Sequence, residues 1–345
     1  MHPPADTALS PCILARDRGR TRPGGGMSRP GRRLPSVMGR WFLTGAAALL
    51  ACQPAAGAGM RAVRVVLHGA HAGAGVPTEV LLPAGWRPGE PALLMVFLHD
   101  GWGSETSFRR HGLADLAAGM MEGGAIPAVV IASPRHRGTF IVDSPRAEME
   151  SFVADDLVPE LERRYPGAGG SRARRSVWGI SMGGYGALKM ALRHPEVFGR
   201  AAALAPWVQP LAWDRYEKDR TWWRRRLLEP VFGRSRAESR FEANDLFRIV
   251  AAADPGRVPP LYVRTGSADK WEPGAEDLIA ALRARGIAVD AASIPGARHR
   301  WADWRRAAPA LLEFLTRDRP GRACVSWPDE AAAGGSRGGD RRPRP

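Results

Sequence analysis

Cysteine is scarce: the 345 residues contain Cys12, Cys52 and Cys324 and no others. All three lie outside 61–318, the stretch whose patterning reads as one folded domain. That domain therefore has no disulfide, no thiol nucleophile and no cysteine metal site. Long apolar runs are lacking as well, since 41–51 is too short to span a bilayer as a permanent helix. His68, His71, His111 and His136 show no metal-ligand spacing with carboxylates, and neither a metal nor another cofactor is expected. The formal net charge of +15 suggests nucleic acid until it is apportioned. Residues 1–60 carry eight arginines against two aspartates, and 319–345 six against three acidic residues, which leaves +6 for the domain. The runs Arg172-Ala173-Arg174-Arg175 and Arg224-Arg225-Arg226 have no nucleic-acid-binding motif around them and read as a solvated basic face, with attraction to anionic envelope surfaces as the alternative.

The basic stretch 29–40 followed by the apolar run 41–51 reads as an export signal, with a start expected near Met27 or Met38. Two cleavage readings stay open. Leu49-Leu50-Ala51-Cys52 resembles a lipobox that would place a lipid on Cys52, although Leu50 is bulky for it; Ala56-Gly57-Ala58 fits ordinary signal peptidase. The expected location is periplasmic, extracellular or lipid-anchored at the envelope. The tail 319–345, rich in Gly, Pro and Arg, is expected to be disordered.

Between these ends, apolar strands alternate with helical stretches. The patterning predicts an opening hairpin at 63–67 and 79–82, then strands at 93–98, 128–132, 176–179, 200–204, 261–264 and 289–294. Helices are predicted at 113–121, 148–165, after the 176–179 strand, at 276–285 and over 304–315. Such alternation implies an α/β fold, a mostly parallel sheet with helices on both faces.

Within that frame, Arg175-Ser176-Val177-Trp178-Gly179-Ile180-Ser181-Met182-Gly183-Gly184-Tyr185 reads as strand, Gly-x-Ser-x-Gly turn and helix in immediate succession. A serine hydroxyl is a weak nucleophile at neutral pH, so it must stand where a base reaches it and a backbone N–H receives the developing oxyanion. In this arrangement the chain order is Ser, then Asp or Glu, then His. Only His194 and His299 follow Ser181, and His194 ends the helix that Ser181 begins, roughly 20 Å away at 1.5 Å per residue. His299 is thus the candidate base. Asp269, in the turn leaving the 261–264 strand, is the candidate acid, with Glu272 and Asp290 as alternatives and a helix N-cap as its bland reading. Met182 N–H and Trp102 N–H are the candidate oxyanion donors, the second from the glycine-flanked turn after 93–98; His99 reads as a residue that orients this loop.

Five blocks in order resemble the esterase D family, an α/β-hydrolase branch with S-formylglutathione hydrolases, feruloyl and enterochelin esterases and mycolyltransferases. They are Phe97-Leu98-His99-Asp100-Gly101-Trp102; Asp155-Asp156-Leu157-Val158-Pro159-Glu160-Leu161; Gly179-Ile180-Ser181-Met182-Gly183-Gly184-Tyr185 through His194-Pro195-Glu196-Val197-Phe198; Gly266-Ser267-Ala268-Asp269; and His299-Arg300-Trp301-Ala302-Asp303-Trp304. The resemblance implies the α/β-hydrolase fold and serine esterase chemistry, with the roles on Ser181, Asp269 and His299 and the oxyanion on Trp102 and Met182. Ala205-Pro206-Trp207 departs from the small-polar pair often found there.

The segment 207–249 interrupts the alternation where hydrolases of this fold insert material over the active site. It holds Trp207, Trp213, Trp222, Trp223, Phe232, Phe241 and Phe247 among many arginines. As a helical lid, its Trp207, Trp222 and Trp223 would line an acyl or aryl pocket; otherwise these rings are the core of a helical excursion. The expected function is an exported serine hydrolase of small carboxylic esters, with no nucleic-acid partner. The alternatives are an envelope acyltransferase that passes the acyl group to a sugar or lipid hydroxyl, and a non-catalytic binding protein on the same fold.

Overall fold

A computed structural model describes residues 59–317. The expected export signal, Cys52, Cys12, Cys324 and the expected disordered tail lie outside the described residues.

Eight strands form one sheet: β1 (Arg61–Leu67), β2 (Val76–Leu82), β3 (Leu93–Leu98), β4 (Val129–Pro134), β5 (Arg175–Ile180), β6 (Arg200–Leu204), β7 (Leu261–Gly266) and β8 (Val289–Ile294). Their order is β1-β2-β4-β3-β5-β6-β7-β8. β2 runs antiparallel to β1 and β4, and every other pairing is parallel. The central strands read as continuous apolar runs because both faces are covered. Along β3, Leu94, Val96 and Leu98 enter one core while Met95 and Phe97 enter the other; β6 divides Ala201 and Ala203 from Ala202 and Leu204 in the same way. Helices α1 (Leu113–Glu122) and α8 (Trp301–Thr316) cover the second face. The first is covered by α2 (Val158–Arg164), α3 (Met182–Arg193), the insertion helices α4 (Trp213–Lys218) and α5 (Trp222–Phe232), then α6 (Leu246–Ala252) and α7 (Glu272–Ala284).

The chain leaves β3 toward β4 on one side and returns to β5 on the other. The connections leaving their carboxyl ends part in opposite directions there, the point at which ligands bind in open α/β sheets.

The helix predicted over 148–165 differs in form. Its middle, Phe152–Leu157, is a wide π turn that precedes α2. Pro159 has no N–H to return to the Asp155 carbonyl, so the regular ladder is interrupted at this point. The insertion also extends past 249, because α6 continues to Ala252.

Candidate active site

Ser181 stands between β5 and α3 with φ 56° and ψ −114°, a conformation costly for a residue with a Cβ. Two glycines make the turn possible. A Cβ on Gly183 would lie 2.0 Å from the Leu98 carbonyl oxygen, and one on Gly179 2.3 Å from the Gly183 backbone. The missing side chains let the end of β3, at Leu98 and His99, touch the first turn of α3.

Three loops converge here. His299 Nε2 is 2.9 Å from Ser181 Oγ, and His299 Nδ1 is 2.6 Å from Asp269 Oδ2. An ionised carboxylate has no proton to give, so Nδ1–H donates to Asp269 and Nε2 keeps a lone pair for the serine hydroxyl. Asp269 is buried, and its other oxygen accepts the Trp271 N–H at 3.0 Å. The alternative acids are engaged elsewhere: Asp290 pairs with Arg264, and Glu272 accepts from Ser293. His194 lies at the far end of α3, bonded to Glu150.

The His299 loop is stapled from behind. Asp303 Oδ2 accepts the Arg298 N–H at 2.9 Å and Arg300 Nε at 2.7 Å, and the Trp304 ring meets His299 edge-on at 4.9 Å. Hydrogen bonds from Arg300 and Arg298 hold the Asp303 carboxyl below its ordinary range. Trp301 stacks on His111 at 3.7 Å. Sequence reasoning assigned none of these residues a role, although Asp303 in the first turn of α8 is the type of residue that ties back to a helix entry.

Met182 opens α3, where the first N–H groups have no intrahelical carbonyl to serve. Trp102 N–H donates to Asp100 Oδ2 at 3.3 Å, a long bond, and its indole is 97% exposed. His99 is fully buried; its Nδ1 faces the Asp100 carbonyl at 2.7 Å and its Nε2 accepts the His136 N–H at 3.3 Å. The rings of His99 and His136 stack at 3.8 Å, and burial lowers the pKa of both, so this loop rests on two neutral imidazoles.

Of the aromatic residues expected over the site, Trp207 is the one bonded to Ser181. Its N–H donates to the Ser181 carbonyl at 2.9 Å, and its ring meets Phe140 at 4.9 Å and Trp271 at 6.0 Å. Phe140, unremarked in the sequence, has φ 53° and reaches Phe232 at 5.5 Å. Trp213 and Phe241 are buried in the insertion's own core. Trp222 and Trp223 are 76% and 50% exposed on α5, and no ring contact among the described residues joins them to Ser181, Trp207 or Phe140.

A buried ionic cluster lies behind α3. Lys189 Nζ donates to Glu150 Oε2 at 2.9 Å and to Asn244 Oδ1 at 3.0 Å, while Arg193 and His194 reach Glu150 at 3.1 and 3.2 Å. Burial works against the Glu150 charge, but the His194 hydrogen bond and the charges of Lys189 and Arg193 outweigh it and hold the carboxyl well below its ordinary value of 4.5. Burial likewise pulls Lys189 down to about 8 despite Glu150.

The sequence profile of the family described as "Putative esterase" matches residues 71–315. An endo-1,4-beta-xylanase/feruloyl esterase of Xylanibacter ruminicola is 23% identical over 229 residues, which covers 64% of this chain and 26% of that protein. The chain thus spans about a quarter of that relative's length. Among solved structures, a ferulic acid esterase superposes with TM-score 0.62 at 21% identity, covering 75% of this chain and 98% of that one. A Staphylococcus aureus fluorophosphonate-binding serine hydrolase, FphF, does so with TM-score 0.63 at 17% identity, over 75% and 99%.

Proposed function

The chain belongs to this esterase family and has the α/β-hydrolase fold of its solved relatives, and from that premise we propose that it is an exported carboxylic-ester hydrolase acting through an acyl-enzyme on Ser181. The observation that carries the reading is the unbroken chain from Ser181 Oγ through His299 to Asp269, at 2.9 and 2.6 Å. In the proposed cycle, His299 Nε2 takes the hydroxyl proton as Oγ attacks the ester carbonyl. Asp269 keeps Nδ1 protonated and stabilises the imidazolium. The Met182 N–H and the Trp102 N–H, released from its long bond to Asp100, receive the oxyanion. Collapse expels the alcohol with the proton from Nε2, and water then repeats the sequence on the acyl-enzyme. Trp207, beside the Ser181 carbonyl and in contact with Phe140 and Trp271, supports an apolar or aryl acyl group at that wall. Export rests on residues 29–51 alone.

Replacing Ser181 tests the reading. Ser181→Ala is expected to abolish ester hydrolysis and covalent labelling by a fluorophosphonate without lowering the melting temperature. His299→Ala should cost on the order of a thousandfold or more in kcat, and Asp269→Asn as much or less. Labelling of Ser181→Ala at the rate of the parent protein would overturn the assignment.

A further inference from the structure

Five large apolar side chains stand exposed among the described residues, and three of them, Trp222, Trp223 and Leu227, belong to the single helix α5. A helix on a protein surface normally turns such residues inward. Helix α5 does so on one face, where Leu228, Val231 and Phe232 are buried. Its outer face repeats the apolar content. At four-residue spacing, Trp222 lies beside Arg226 and Trp223 beside Leu227, with Arg225 adjoining them. Arg226 is exposed and has no ion pair among the described residues, while Arg225 pairs with Glu229 at 3.3 Å. From Leu211 to Arg240, nine basic side chains face five acidic ones.

Exposed tryptophan and leucine interleaved with arginine on one helical face match an anionic lipid interface: the rings and aliphatic groups enter the headgroup region, and the guanidinium groups meet phosphate. We propose that the outer face of α5 docks the protein on an anionic phospholipid bilayer. The positive balance of the segment supplies the charge complementarity, and indoles favour the boundary between water and hydrocarbon. The inner end of the helix leads to the site. Phe232 meets Phe140 at 5.5 Å, Phe140 meets Trp207 at 4.9 Å, and the Trp207 N–H holds the Ser181 carbonyl. The docking stands on the exposed face of α5 alone and does not require Ser181 to be the nucleophile.

The test is co-sedimentation of the full chain carrying Cys52→Ser, so that no acyl anchor forms, with vesicles of phosphatidylcholine alone or mixed with phosphatidylglycerol. Binding is expected on the mixed vesicles and to weaken as salt is raised. Trp222→Ala/Trp223→Ala and Arg225→Gln/Arg226→Gln should each weaken it by about tenfold or more, with melting unchanged for the tryptophan pair because both rings are exposed. Equal binding by parent and variants, equal binding to neutral vesicles, or sedimentation no greater than without vesicles would overturn the proposal. So would capture by an acidic polysaccharide gel, sensitive to the same variants, in place of the vesicles.

Discussion

Glu150 shows how a residue far from the proposed chemistry governs the element that carries it. Its carboxylate is nearly buried and is shared by Lys189, Arg193 and His194, all on or just after α3. The unfolded chain protonates this group near 4.5 and the folded one only well below that, so between the two the unfolded state holds more protons. Stability from Glu150 is therefore fully present above pH 4.5 and is lost as pH falls through the depressed folded value. Glu150→Gln leaves Lys189 buried without its counterion, which costs about 3–5 kcal/mol at neutral pH. Thermal melts of parent and variant should differ most near neutrality and converge in acid; a constant gap at every pH would mean that the charge of Glu150 contributes nothing. The cluster was not legible in the sequence, because Lys189 and Glu150 are 39 residues apart and a buried ion pair leaves no periodic trace. The nearness of Ser181 and His299 was legible, since chain order left one histidine in reach, whereas Asp269 stood with Glu272 and Asp290 as alternatives.

At the scale of elements, the elbow depends on close approach of backbones. Gly183→Ala would push a methyl group into the Leu98 and His99 carbonyls, neither of which is the end of a flexible side chain. Overpacking of this kind costs about 1–3 kcal/mol. A displacement of the proposed oxyanion loop by about 1 Å costs roughly a hundredfold in rate, so fluorophosphonate labelling of Ser181 should slow by that order. Gly119→Ala on α1 is the control, since its added methyl meets nothing within 4 Å. Labelling of Gly183→Ala at the parent rate would show that the contact does not align the site. Strands and most helices were readable because alternation and apolar runs record which faces are covered: the predicted 200–204 and 289–294 coincide with β6 and β8. The π turn at Phe152–Leu157 went unread, although Pro159, whose missing N–H interrupts the ladder, stands in the sequence. The outward placement of Trp222 and Trp223 was also hidden, because apolar composition does not say which side of a helix meets the core.

Across the molecule, the insertion and the sheet are stitched into one cooperative body. The Tyr185 hydroxyl donates to the Asn244 carbonyl at 2.7 Å, and Lys189 from the same helix reaches the Asn244 side chain. Asp245 caps α6 through the Arg248 N–H and also accepts the Leu211 N–H, so the two ends of the insertion are tied to each other. Trp207, at its start, is bonded to the Ser181 carbonyl. The insertion therefore cannot melt without uncovering the buried charges of Lys189 and Glu150, and α3 cannot leave without opening both the sheet and the insertion. Every sheet strand except β1 also feeds the cores on both faces, so losing one helical layer exposes the strands of the other. Unfolding followed by far-UV circular dichroism, which reads strands and helices throughout, should thus superimpose on unfolding followed by tryptophan fluorescence, to which Trp213, Trp222 and Trp223 of the insertion contribute beside Trp178 of β5. A fluorescence transition that precedes the circular dichroism transition would mean that the insertion opens as a separate unit, and that the bonds at Asn244 and Asp245 do not couple it to α3.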